Sequence, residues 1–160
     1  MNQMHQYRLS WVTTYLAAGP APVSSKDLEA IKRHGIISIL NLCMELPDLH
    51  RIESEYGFNV YFLPVADECA PDLAPMEEAL NWIDHELSLR KRTLIHCRHG
   101  IGRTGTLGCA YLMRKGLNME ASIKVLKYSG AHPTNAVQWK LLKRYFKQIN
   151  NRKANGRQFL

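Results

Sequence analysis

Apolar and polar positions along the chain fall into short blocks that read as strand and helix in turn. "SWVTTYLAAG" at 10–19 predicts an extended opening segment, closed by "GPAP". "SSKDLEAIKRHG" carries a serine cap, an acid in its first turn and a terminal glycine, the start and stop signals of a helix. "IISIL" predicts a buried strand, the polar run at 48–56 a short helix, and "FNVYFLPV" a second strand. The loop "ADECAPDLAP" leads into a helix over "MEEALNWIDHELSLRK", and "TLIHC" is a third buried strand. Three helical runs follow, at about 103–115, 119–129 and 135–150, the last capped by Asn135. This order predicts an α/β fold, a central and mainly parallel sheet flanked by helices, with a helical C-terminal third. Ligands of such sheets bind beyond the C-terminal ends of the strands, and Cys97 stands at one such end.

At 160 residues and 46% apolar content the chain can bury one sizeable core. We expect a single domain over 1–150 and a basic, flexible tail over 151–160. The longest apolar stretches fall far short of a membrane span, and "MNQMHQYRLSW" lacks the features of a signal peptide, so a cytoplasmic protein without a transmembrane segment is expected. Four widely spaced cysteines with no CxxC pair read as reduced thiols. The formal charge of +7 comes wholly from the C-terminal end, because residues 140–160 carry seven basic and no acidic side chains. That run is either a patch for an acidic partner or a solvated helix face whose cations complement the helix dipole. No interleaved aromatic pattern suggests base stacking, so no nucleic acid is expected.

The chemistry concentrates in "HCRHGIGRTG", residues 96–105. "GIGRTG" fits GxGxxG, but no further strand ending in an acid follows at the spacing a dinucleotide site needs; Glu120 lies in a helical run. A Walker-type GxxxxGK is absent from the chain. His96, Cys97 and His99 have no second ligand pair at metal-site spacing, so neither metal nor cofactor is expected. A loop running from a strand into a helix can instead wrap its backbone N–H groups around a phosphate, aided by the helix dipole. Here Arg98, His99, Gly100, Ile101 and Gly102 would supply the cradle. Gly100, Gly102 and Gly105 would let it turn tightly, and Arg103 would hold two oxygens with its planar fork. The same surroundings favour the thiolate of Cys97, a nucleophile placed for in-line attack on phosphorus. The reaction class is phosphomonoester hydrolysis through a cysteinyl-phosphate.

"HCRHGIGRTG" also resembles the HCxxGxGR(S/T)G signature of the cysteine-dependent protein tyrosine phosphatases, with Cys97 and Arg103 in the CX5R frame. "GIISILNL" and the short chain look like the small atypical dual-specificity branch. The resemblance implies a protein tyrosine phosphatase-like fold, His96 as a structural orienter of the loop, and Thr104 as a hydroxyl that stabilises the thiolate and assists phosphate release. It implies a phosphorylated protein as substrate, at tyrosine and at serine or threonine, with phosphate, sulfate or vanadate as active-site oxyanions. No long phosphotyrosine-recognition segment is evident, which favours a shallow cleft. Phosphoinositides or inositol phosphates are the alternative substrates, and a phosphate-reading pseudoenzyme is the alternative of another class; Cys97, Arg103 and a carboxylate are all present, which favours the enzyme.

Hydrolysis further needs an acid for the leaving oxygen, and the family's acid sits on a separate loop about 30 residues before the cysteine. Asp67 lies 30 residues before Cys97. Spacing alone does not separate it from Glu68 and Asp72; its position directly after the strand favours Asp67, and Asp72 better suits a helix cap. Arg98 and His99 are either charged residues at the cradle floor or rim side chains in solvent. Gln138 resembles a water-positioning glutamine of some relatives, with a helix-surface residue as the competing reading. Cys43 and Cys109 read as buried hydrophobes. Cys69 shares the acid loop, where a disulfide with Cys97 is a further reading. Trp11, Trp82 and Trp139 read as core or groove residues.

Overall fold

The run "IISILNLC" is apolar at almost every position and becomes β3 (Ile36–Cys43), the longest strand in a computed structural model that describes residues 6–158. Its neighbours are β5 (Arg92–His96) on one side and β4 (Asn59–Val65) on the other, both parallel to it. β2 (Leu16–Gly19) pairs in parallel with β5, and β1 (Ser10–Trp11) adds an antiparallel edge, giving the order β1-β2-β5-β3-β4. β5 is therefore the central strand.

Alternation along each strand divides the interior in two. Leu16, Leu40, Leu42 and Ile95 face the larger core, built with α3 (Leu73–Ser88), α4 (Gly102–Arg114), α5 (Met119–Lys127) and α6 (Ala136–Gln158). Ala17, Ile39 and Leu94 face a smaller core with Leu28 and Ile31 of α1 (Ser25–Arg33), closed by Tyr7 and Phe58. The short polar run forms α2 (Leu49–Glu55), which buries Leu49 and Glu53. Parallel pairing brings the C-terminal ends of β2, β5, β3 and β4 to one edge, where their following loops meet.

Two elements differ from the sequence expectation. The opening segment breaks into a hairpin, because the Thr13 hydroxyl accepts from the amides of Tyr15 and Leu16 at 3.3 and 3.1 Å and turns the chain between β1 and β2. The last helix runs eight residues past the expected end near 150. Of the expected tail, residues 151–158 continue α6, and 159–160 lie outside the described residues. Among the described residues no helix is long and apolar enough to cross a membrane.

Candidate active site

β5 delivers Cys97 to the open edge of the sheet, and α4 begins five residues later at Gly102. The connecting loop passes hard against the end of β2. Gly100 takes a φ of +74°, and a Cβ there would stand 2.5 Å from the Gly19 carbonyl carbon, so a side chain would be both strained and without room. Ala21 N–H donates to the Arg98 carbonyl at 3.1 Å and fastens the same contact. Gly102 and Gly105 lie within α4 without left-handed backbone; of the three glycines singled out from the sequence, only Gly100 adopts it. Gly105 instead admits another segment: a Cβ there would meet the His132 amide nitrogen at 2.3 Å. The His132 N–H donates to the Ile101 carbonyl at 3.1 Å, tying the loop before α6 to the start of α4.

Cys97 is 2% exposed, and the Thr104 hydroxyl donates to its Sγ at 3.2 Å. Beneath it lies a buried polar network. His96 Nδ1 donates to the Cys97 carbonyl at 3.1 Å, which fixes a proton on that nitrogen. Its Nε2 stands 2.6 Å from Glu53 Oε2, and Asn41 donates to Glu53 Oε1 at 2.7 Å. All three side chains are fully buried. Asn41 and His96 are register partners on adjacent strands, so the sheet itself brings them to Glu53.

Arg103, in the first turn of α4, is also buried. Its Nη1 and Nη2 each donate to a Glu45 oxygen at 2.7 Å, and Nη1 donates a second bond to the Val65 carbonyl at 2.7 Å. Nη2 also lies 3.3 Å from Asp67 Oδ1. Burial alone would lower the guanidinium pKa; the Glu45 hydrogen bonds and the surrounding negative groups outweigh it and raise it. In turn the Arg103 hydrogen bonds hold the Glu45 carboxyl down at about 2, from 4.5. The buried Cys43 thiol donates to Glu45 Oε1 at 3.1 Å; burial first, then that bond, push its pKa up to about 12.

Asp67 lies two residues past the end of β4 and is largely exposed; its Oδ1 accepts from the Glu68 amide at 3.0 Å as well as facing Arg103. Glu68 is exposed, with its backbone at a φ of 62°, and among the described residues its side chain makes no ion pair with Arg103. Asp72 occupies the N-cap position of α3 without a side-chain cap bond. The acid loop is anchored from α6, where Asn135 donates to the Glu68 carbonyl at 2.7 Å and Gln138 Nε2 to the Cys69 carbonyl at 3.2 Å. Gln138 is fully buried rather than on the helix surface, because its Oε1 also accepts from the Thr134 amide at 2.8 Å.

Arg98 is half-buried and lines a cleft of about 620 Å³ with Pro22, Leu46 and Ile52, whereas His99 and Ile101 are exposed. All four cysteines are free, Cys43 and Cys109 buried and Cys69 exposed. Trp82 and Trp139 pack against the larger core, while Trp11 is 41% exposed beside the Arg92 guanidinium. Sequence reasoning passed over Glu45 and Glu53. Glu45 had a usable signal in its place just past the end of a buried strand; Glu53, a lone acid in a polar helix, had none.

The family model described as "Polymorphic toxin system, DSP-PTPase phosphatase" matches residues 18–117. The chain is 35% identical over 92 residues to human dual specificity protein phosphatase 9, covering 57% of this chain and 23% of that one. It spans about a quarter of the length of the relatives of this kind that it matches. Among solved structures, Tk-PTP in its active form superposes with a TM-score of 0.80 at 26% identity, over 87% of this chain and 96% of that one. PTPMT1 in complex with PI(5)P shares the fold, with a TM-score of 0.80 at 16% identity over 91% and 98% of the two chains. The chain belongs to the DSP-PTPase phosphatases, in the small atypical dual-specificity branch of the protein tyrosine phosphatases.

Proposed function

We propose that the protein hydrolyses phosphomonoesters of proteins, at phosphotyrosine and at phosphoserine or phosphothreonine, through a phosphate ester of Cys97. The observation that carries the reading is the meeting of four side chains from three places in the fold: Cys97 after β5 with Thr104 of α4 at 3.2 Å, and Arg103 of α4 with Asp67 after β4 at 3.3 Å. Family membership and the CX5R spacing support the same chemistry.

The backbone N–H groups of residues 98–103 bind the phosphoryl oxygens at the start of α4, where the helix dipole adds positive potential. Arg103 Nε–H has no partner among the described residues, so it and the Nη2 hydrogen now turned toward Asp67 form the edge that takes two oxygens. Cys97 Sγ attacks phosphorus, the P–O bond to the substrate breaks, and the protonated Asp67 carboxyl gives its proton to the departing oxygen. The resulting carboxylate takes a proton from water as that water attacks phosphocysteine; the S–P bond breaks and phosphate leaves. Thr104 donates its hydrogen bond to the emerging thiolate. Gln138 holds the acid loop to α6, and His96 holds the Cys97 carbonyl. Vanadate and sulfate compete for the same cradle. The mechanism requires a reduced thiol, which suits the cytoplasm.

Phosphate release from phosphotyrosine and phosphothreonine peptides and from phosphoinositide micelles, each compared with Cys97→Ser, tests the reading. We expect peptide hydrolysis to exceed lipid hydrolysis and to vanish in the variant. Faster turnover of the lipid would reassign the substrate, and tight phosphopeptide binding without any turnover would make the protein a phosphate-reading module.

A further inference from the structure

Four of the seven cations at the C-terminal end share one face of their helix. On α6 the side chains of Gln138, Leu141, Leu142 and Tyr145 are buried, while Lys140, Lys143, Arg144 and Lys147 recur at intervals of three and four on the opposite, exposed face. Among the described residues no carboxylate pairs with any of these four, although Arg152 further along reaches Glu77 at 3.0 Å. Arg144, Lys147 and Arg152 also line a groove of about 440 Å³ shared with Leu73, the first residue of α3.

The first turn of α6 lies at the active site. A Cβ on Gly102 would stand 3.2 Å from Gln138 Nε2, and the turn holding Gln138 is bonded to the acid loop through Asn135 and Gln138. Lys140 follows two residues later, and helical rise carries the cations about 10 Å onward to Lys147. The stripe therefore leads away from the phosphoryl cradle in a defined direction.

We infer that the exposed face of α6 docks an acidic segment of the substrate polypeptide, so that the preferred substrates carry a run of Asp or Glu a few residues from the phosphorylated side chain. The inference rests on the phosphatase reading and adds the substrate class to it. Charge complementarity argues for the occupant. Four unpaired cations on one line gain most from a partner of closely spaced negative charge, whose encounter they also steer. A membrane fits less well, because an interfacial helix inserts an apolar face, and that of α6 is buried against the domain. An extended peptide advances about 3.3 Å per residue, so an acidic run of about four residues spans the roughly 10 Å from Lys140 to Lys147.

The test uses the full chain and a phosphotyrosine peptide with about six glutamates placed on either side of the phosphorylated residue, beginning about four residues away. A second peptide carries glutamines there, and phenyl phosphate serves as the small substrate. We expect kcat/KM at low salt to favour the glutamate peptide about tenfold over the glutamine one, a preference that shrinks as salt rises. The triple variant Lys143→Glu, Arg144→Glu, Lys147→Glu should lose that preference and keep its rate on phenyl phosphate. Fluorescence anisotropy of the glutamate peptide without phosphate reads the docking apart from turnover, and should fall with the same variant. Equal kcat/KM for the two peptides, or a preference that survives the triple variant, overturns the inference. So does binding to phosphatidylserine vesicles that the variant loses while peptide binding is unchanged. Loss of phenyl phosphate hydrolysis in the native protein would instead refute the phosphatase reading, with anisotropy still deciding the docking.

Discussion

Glu45 and Arg103, 58 residues apart in the chain, meet end-on, with each terminal guanidinium nitrogen 2.7 Å from its own carboxylate oxygen. A bidentate pair of this kind fixes the plane of the guanidinium as well as its position. The edge left for a phosphoryl group is thereby set before substrate arrives, and the interaction joins the end of β3 to the first turn of α4.

Glu45→Gln should retain one hydrogen bond and lose the forked charge pair. We expect kcat/KM on an aryl phosphate to fall roughly 10- to 100-fold, since a misplaced clamp costs about that much. The pair also predicts a pH effect. The folded pKa of Glu45, about 2, lies below its ordinary 4.5, so its contribution to stability is complete above about pH 4.5 and is lost as the pH falls toward 2. The difference in thermal midpoint between native and Glu45→Gln protein should therefore be larger at pH 7 than at pH 3, and a constant difference would detach the pair from stability.

Glu53 presents the opposite case, a carboxyl with no exposure whose partners are His96 and Asn41. Glu53→Ala leaves both partners buried without it and should cost about 3–5 kcal/mol in chemical denaturation. Glu53→Gln can still bond both side chains and should cost less than half of that. An alanine variant as stable as the native protein would show that the network is dispensable.

Much of this arrangement was legible in the sequence, and the limits have physical causes. The cradle could be read because its parts are contiguous: a strand, a cysteine, glycines and an arginine within ten residues. β3 and β5 were legible for the related reason that a strand covered on both faces is apolar throughout. The Glu45 and Glu53 contacts depend on strand pairing that local patterns do not encode, since β3 must lie beside β5 before either acid reaches its partner. The sequence left Gln138 open between a site residue and a helix-surface one, because its burial depends on contacts with the distant loop carrying Cys69. The hairpin at Thr13 escaped notice because a threonine-centred turn leaves no glycine or proline signal.

Asp67 faces Arg103, and its role can be separated from that of its neighbours by leaving-group dependence. General acid catalysis matters most where the departing oxygen is most basic. Across a series of substituted phenyl phosphates, the rate penalty of Asp67→Asn should grow with leaving-group pKa, and the basic limb of its kcat/KM profile should flatten. Equal penalties across the series would remove Asp67 from the role, and Glu68→Gln and Asp72→Asn would then be compared in the same way.

The covalent step on Cys97 is the centre of the account, and rapid acid quenching during turnover of a phosphorus-labelled aryl phosphate measures it directly. The label should be recovered on the peptide containing Cys97, in an acid-stable, iodine-sensitive thiophosphate linkage, and should be absent from Cys97→Ser. Asp67→Asn should accumulate more of it where the second step becomes limiting. Label on another residue, or undiminished hydrolysis by pure Cys97→Ser protein, would contradict the mechanism.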